Sequence, residues 1–217
     1  MKTWVYVDGF NLYFGAVKGT LYKWLDIHTL CSLLLPGHTI ERIKYFTAKV
    51  QARPHDPNPP IRQQIYLRAL ATLGNVEVFF GHFLTHRVSM PLANPVVGQS
   101  PYAWVLRTDE KGSDVNLASH LLHDGHLGRY EMAVVLSGDS DLLCPVRLVM
   151  QDLRKPVGVL NPQQRTCRVL AQEATFYKQI RTGVVASSQF PPDLVDAQGA
   201  FHKPAGWYRA WRRPCPS

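Results

Sequence analysis

The sequence predicts an α/β fold in which a mostly parallel sheet is covered on both faces by helices. Three observations carry this. Short apolar runs of strand length recur at 4–7, 132–136 and 156–160. Segments with helical spacing of apolar residues lie between the strand-like segments, and Pro- or Gly-containing turns separate them. Strands buried on both faces read as continuous apolar runs, and their alternation with helices is the pattern of βαβ units.

The elements follow in order. Residues 4–7 form a first buried strand that ends at Asp8-Gly9. Asp26 is placed to cap a helix carrying Ile27, Leu30 and Leu33 to Leu35, and Pro36-Gly37 stops it. A second strand is expected over 40–50. The segment 53–60 holds four prolines in eight residues and is a loop. A helix over 61–73 ends at Gly74-Asn75, and a third strand covers 76–84. Pro91, Pro95, Gly98 and Pro101 break the pattern from 85 to 107, which reads as an irregular excursion with room for a hairpin. Ser113 is a suitable N-cap for a helix bearing Leu117, Leu121 and Leu122. A strand at 132–136, a helix at 140–153, a strand at 156–160 and a last helix over 170–180 complete the domain.

Length and composition suit one domain over 1–182 with a Pro- and Gly-rich basic extension over 183–217. The extension closes on Trp207, Tyr208, Arg209, Trp211, Arg212 and Arg213. A hydrophobic fraction of 46% is enough for a core without staples. No run of about 18 apolar residues exists, so no membrane-spanning helix is expected. The N-terminus enters a strand pattern at once and lacks the features of a secretion signal, which makes a cytoplasmic location the expectation. Cys31, Cys144, Cys167 and Cys215 form no CxxC pair and read as reduced thiols, with Cys31 in the core. The net charge of +8 suits a polyanionic partner, most simply nucleic acid, or else a basic surface that aids solubility.

Three acidic segments carry the chemistry: Val7-Asp8-Gly9-Phe10-Asn11, Glu110-Lys111-Gly112-Ser113-Asp114-Val115-Asn116 and Leu136-Ser137-Gly138-Asp139-Ser140-Asp141. In an open parallel sheet, sites form beyond the carboxyl ends of the strands. Asp8 and Asp139 are expected at such ends, and Asp114 at a helix start that could face the same edge. Clustered carboxylates repel one another unless a cation compensates them, and an all-oxygen ligand set suits Mg²⁺ or Mn²⁺. Such an ion can acidify a water for attack on a phosphodiester. Each acid also has a structural reading: Asp8-Gly9 as a turn, Asp114 as a helix-dipole partner, Asp139 as an N-cap.

The three segments together, in order and spacing, resemble the NYN-domain family of PIN-like nucleases, over about residues 3–180. The segment from Ser188-Gln-Phe-Pro-Pro192 to Trp207 looks like the tail of bacterial members. The resemblance implies a PIN-like three-layer α/β/α sandwich and a metal-dependent ribonuclease. It implies that Asp8, Asp114, Asp139 and Asp141 are the catalytic, metal-binding quartet. By the same resemblance Asn11 would hold a metal-bound water or a phosphate, and Ser137 would orient the cluster. A homodimer is compatible with that fold, though the sequence does not specify one.

Lys111, Lys49 and Arg53 are candidate phosphate contacts, with Arg62, Arg209, Arg212 and Arg213 behind them; any one of these also reads as a solvated surface charge. Tyr13, Phe14, Tyr102 and Trp104 are candidate stacking partners for unpaired bases, with Phe14 also readable as core. His120, His123 and His126 share one helix and read as a polar face rather than a metal site. The expected activity is RNA phosphodiester hydrolysis. An RNA-binding module without cleavage is the alternative. A small-molecule phosphohydrolase is disfavoured, because the first strand ends on a single aspartate rather than an Asp-x-Asp pair.

Overall fold

The computed structural model describes residues 1–52, 56–96, 98 and 100–208. Its strands are β1 (Lys2–Asp8), β2 (Thr39–Ala48), β3 (Val76–Pro91), β4 (Tyr102–Lys111), β5 (Met132–Leu136), β6 (Val157–Asn161), β7 (Phe176–Gln179), β8 (Asp193–Asp196) and β9 (Gly199–His202). Its helices are α1 (Gly9–Leu12), α2 (Ile27–Leu34), α3 (Pro59–Ala71), α4 (Ser113–His126), α5 (Leu143–Gln151), α6 (Arg168–Glu173) and α7 (Thr182–Ser187). Seven strands make one sheet in the order β4-β3-β2-β1-β5-β6-β7, parallel throughout except for β4. Helices cover both faces, so the fold is a three-layer α/β/α sandwich.

Alternation along each strand builds the two layers. Val5, Val7, Ile43, Tyr45, Val134, Leu136 and Leu160 point to one face and pack with residues of α2, α3 and α7. Tyr6, Phe46, Ala133, Val135, Val157 and Val159 point to the other and pack with residues of α4, α5 and α6. The β1 and β5 strands are central, and their apolar runs Trp4 to Val7 and Met132 to Leu136 lie within them as the sequence predicts. Asp26 caps α2 by accepting from the amides of His28 and Thr29 and the hydroxyl of Thr29.

Three elements differ from the sequence reading. The stretch 85–107 carries the hairpin it had room for but is otherwise regular rather than irregular: β3 runs on to Pro91 and pairs with β4 over ten residue pairs, from His82 with Lys111 to Pro91 with Tyr102. Its prolines bound the connecting loop instead of breaking a strand. Residues 170–180 are not one helix, because α6 stops at Glu173 and Phe176–Gln179 is an edge strand on β6. The N-cap of α4 is Gly112, whose φ of 96° is a left-handed conformation open to glycine, and Ser113 lies inside the helix.

The segment from 183 to 208 packs into the same core as the rest, and the 182/183 boundary falls inside α7. Val185, Phe190 and Phe201 are buried in the first layer, and the ring of the fully buried Trp24 meets Phe190, Phe201 and Trp207. Arg68 of α3 grips Asp196 with two nitrogens, each at 2.6 Å. Residues 209–217, including Arg209, Trp211, Arg212, Arg213 and Cys215, lie outside the described residues.

Alternation also places Lys44 of β2 inward beneath α4, where it meets the fully buried Asp124 at 2.5 Å. Tyr6 Oη donates to the same carboxylate at 2.9 Å and Arg129 at 2.8 Å. Burial opposes ionisation of Asp124, but the hydrogen bonds from Lys44, Tyr6 and Arg129 outweigh it and hold the carboxyl below its ordinary range. Its stabilising contribution is therefore complete above the unfolded value of about 4 and is lost as pH falls through the lower folded value. Replacing Asp124→Asn leaves Lys44 buried and unpaired, at a cost of about 3–5 kcal/mol. Thermal unfolding should show a Tm lower by roughly 10 °C at pH 7, with the gap to wild type closing at about pH 3. Equal Tm values at pH 7 would remove this network as a stabilising centre.

Candidate active site

Parallel pairing of β1 with β5 aligns Val7 with Leu136, so both chains leave the sheet side by side at its carboxyl edge. Asp8 and Ser137 follow directly. Ser137 Oγ donates to Asp8 Oδ2 at 3.0 Å and accepts from the Asp139 amide at 3.1 Å. Asp8 Oδ1 accepts from the Asn11 amide at 2.9 Å, which makes Asp8 the N-cap of α1. Asp139 caps the next turn by accepting from the Asp141 amide at 3.0 Å. The capping role thus falls on the same side chains that are the candidate site residues.

Asn11 is a brace. Its Oδ1 accepts from the Gly138 amide at 3.0 Å and from Gln163 Nε2 at 3.1 Å. That carbonyl is committed to the frame. After α1 the chain makes a π-helical turn over Tyr13–Val17, a form frequent near functional sites.

Asp114 arrives from the third direction, on the first turn of α4. The start of α4 is tied to the end of β4 by Glu110, whose Oε1 accepts the Ser113 amide at 3.1 Å and hydroxyl at 2.7 Å. The acids share one electrostatic neighbourhood. Burial pushes the Asp8 carboxyl up to about 6, helped by the charges of Asp114 and Asp139 and opposed by the hydrogen bonds from Asn11 and Ser137. Asp114 is raised as well, first by desolvation and then by Asp139, Glu110 and Asp141. Asp8 is 5% exposed, Asp139 is intermediate, and Asp114 and Asp141 are exposed.

The four aspartates therefore face one region, but among the described residues no three acidic, His or Cys side chains stand close enough to enclose a metal ion. The donor set still fits a hard divalent cation: it is all carboxylate, it is mutually repulsive, and its deepest member is raised by burial and by the neighbouring carboxylates. Lys49 follows β2 at the same edge, and Lys111 pairs with His82 one residue beyond the Ala48–Gly81 pair. Both lysines are exposed. Arg53 lies outside the described residues. Arg62 is paired with Asp56 rather than turned to the site. On α4, His120 packs at 4.2 Å against the Phe79 ring, with Nδ1 3.1 Å from Lys44 Nζ.

One group was missed from the sequence: the loop after β6. Fully buried Asn161 donates to the carbonyls of Gln163 and Arg165 and accepts the Gln163 amide, which folds the loop back toward Asn11. Gly138 faces Asn161 Oδ1 so closely that a Cβ there has no room. Gln163, Gln164, Arg165 and Cys167 then line a cleft of about 490 Å³ with Phe14, Gly138 and Ser140. A polar residue directly after a buried parallel strand was the available signal, and the apolar run before Asn161 carried it.

No family model matches the chain. It is 28% identical over 239 residues to 6-hydroxy-3-succinoylpyridine 3-monooxygenase HspA of Pseudomonas putida (strain DSM 28022 / S16), covering 96% of this chain and 76% of that protein. Its fold is shared with the crystal structure of a protein of unknown function from Vibrio parahaemolyticus RIMD 2210633, at a TM-score of 0.51 and 16% identity, over 83% of this chain and 93% of the other. The sequence likeness is thus to a named enzyme and the structural likeness shows the fold, with no helix among the described residues long and apolar enough to cross a membrane.

Proposed function

We propose that the protein is a metal-dependent ribonuclease of the NYN type that hydrolyses RNA phosphodiester bonds within the chain. The observation that carries this reading is the convergence of Asp8, Asp114 and Asp139 at the carboxyl edge of the sheet, with Asp8 raised to about 6 by burial and by the other two. Asp8, Asp114, Asp139 and Asp141 would hold Mg²⁺ or Mn²⁺, which supplies charge neutralisation and an acidified water when bound. Ser137 and the Asn11–Gln163 brace fix the carboxylates before substrate arrives, so little reorganisation is left to the reaction itself. Lys49 and Lys111, exposed at the same edge of the sheet, would contact phosphates of the bound strand.

The relative's name favours a second reading, hydroxylation of a hydroxypyridine ring. The cleft offers Phe14 to an aromatic ring and Arg165 to a carboxylate. The two readings separate cleanly. Incubation with 6-hydroxy-3-succinoylpyridine, O₂ and a reduced nicotinamide should give no hydroxylated product if the nuclease reading holds. Substrate-dependent O₂ uptake would replace it.

A labelled single-stranded RNA should be cut with Mn²⁺ or Mg²⁺ and spared with EDTA, and Asp139→Asn should abolish cutting. Retention of metal-dependent cutting by Asp139→Asn would remove this site assignment, and salt-sensitive RNA binding without cutting by wild type would make the protein a binding module. Ser137→Ala and Asn11→Ala act on ligand orientation and should each lower the rate by about 10- to 100-fold.

Cation binding has its own readout. With Asp8 raised, the metal-free fold loses stability as pH rises from about 4 through about 6, because the buried carboxyl must ionise. Above that pH, Mn²⁺ should raise the Tm of wild type and leave Asp139→Asn nearly unmoved. At pH 5 protons compete and the shift should shrink. An equal shift in both proteins at neutral pH would place the ion elsewhere.

A further inference from the structure

Beyond the sheet edge, β3 and β4 continue as a two-stranded ribbon, and such ribbons are marginal on their own in water. This one nonetheless exposes large apolar side chains, with Trp104 at 64%. Directly paired residues in an antiparallel ribbon share a face, and faces alternate along the strand. One face therefore carries Phe83, Arg87, Trp104 and Tyr102, at the positions paired 83–110, 87–106, 89–104 and 91–102. That face turns toward the acids at its root. Phe83 meets Phe10 edge-on at 5.7 Å, two residues after Asp8, and Glu110 is bonded to Ser113 beside Asp114. At its outer end the Arg87 guanidinium lies 4.6 Å from the centre of the Trp104 ring. Past the acids, Phe10 stacks with Phe14, and Lys18 sits 4.6 Å from the Phe14 ring.

We propose that the β3–β4 ribbon is a binding arm for single-stranded RNA, with Trp104 and Tyr102 as stacking platforms and Arg87 as a phosphate contact. The arm leads the strand along Phe83 and Phe10 to the aspartates. Phe14 and Lys18 receive it on the far side. The inference rests on the nuclease reading for the direction in which the strand runs. Exposed aromatic rings with a cation beside Trp104 at one end and beside Phe14 at the other suit unpaired bases on a phosphate backbone, because every base offers a π face. The chain's net charge of +8 favours the same polyanion. From Phe83 to the position of Trp104 the ribbon covers about 20 Å, room for several nucleotides.

The test uses the full chain, EDTA and a fluorescein-labelled single-stranded RNA of about 12 nucleotides, within the usual range of such sites. Fluorescence anisotropy should show Kd raised about tenfold or more by Trp104→Ala and restored largely by Trp104→Phe. Arg87→Gln should reduce the slope of log K against log salt by about 0.7, one phosphate contact. Both positions are exposed, and unchanged Tm values establish that the fold is intact. Unaltered affinity in Trp104→Ala, or no RNA binding by wild type, overturns the arm. So does a wild-type dimer that Trp104→Ala splits in sedimentation without loss of RNA affinity, which would assign the ribbon to a second copy of the chain. Binding without metal and cleavage with metal fail separately. A ribbon that binds RNA in a chain that never cuts it leaves the arm standing and removes the nuclease, whereas metal-dependent cutting with KM unchanged in Trp104→Ala does the reverse.

Discussion

The parallel register between β1 and β5 is the constraint on which the site depends. Because Val7 stands opposite Leu136, the two chains leave the sheet at one level and Asp8 meets Ser137. A slip of one residue would turn every side chain of β1 to the opposite layer and part the two acidic segments. The register is fixed by burial on both faces: Val5 and Val7 belong to one core, and Tyr6 to the other. The same apolar packing that holds the sheet together thus sets the positions of the charged groups at its rim.

Two buried carboxylates show how placement decides chemistry. Asp124 meets Lys44, Tyr6 and Arg129, which satisfy both of its oxygens, and it is held ionised as part of the scaffold. Asp8 receives only a backbone amide and a serine hydroxyl, and its charged neighbours are other acids. A scaffold carboxylate has its counter-charge built in. Among the described residues Asp8 has none, and a bound cation is the simplest group that would supply it.

The central strands were legible in the sequence because continuous apolar runs such as Met132–Leu136 have one reading once strand length is imposed. The caps at Asp26 and the helix start near Asp114 were legible for similar local reasons. The ribbon was legible only as room for a hairpin, and its length was not, because Pro91, Pro95, Gly98 and Pro101 signal broken structure whether they interrupt a strand or bound its loop. Leu170 to Ile180 failed for another reason: its apolar spacing fits a helix, and only the free edge of β6 recruits Phe176–Gln179 as a strand. In the site, the aspartates could be found through short motifs. The brace from Gln163 through Asn11 to Gly138 spans residues about 150 apart in sequence, and no local pattern marks it.

Trp24 has a consequence for the making of the protein. Its ring lies in the first layer of the core, yet three of its aromatic neighbours, Phe190, Phe201 and Trp207, are supplied by a stretch far along the chain from it. As the polypeptide leaves the ribosome, α2 and α3 must wait with an apolar surface uncovered until that stretch emerges. Contacts so distant in sequence form late. The first layer therefore closes only after that stretch has emerged, and until then the nascent chain is vulnerable to aggregation.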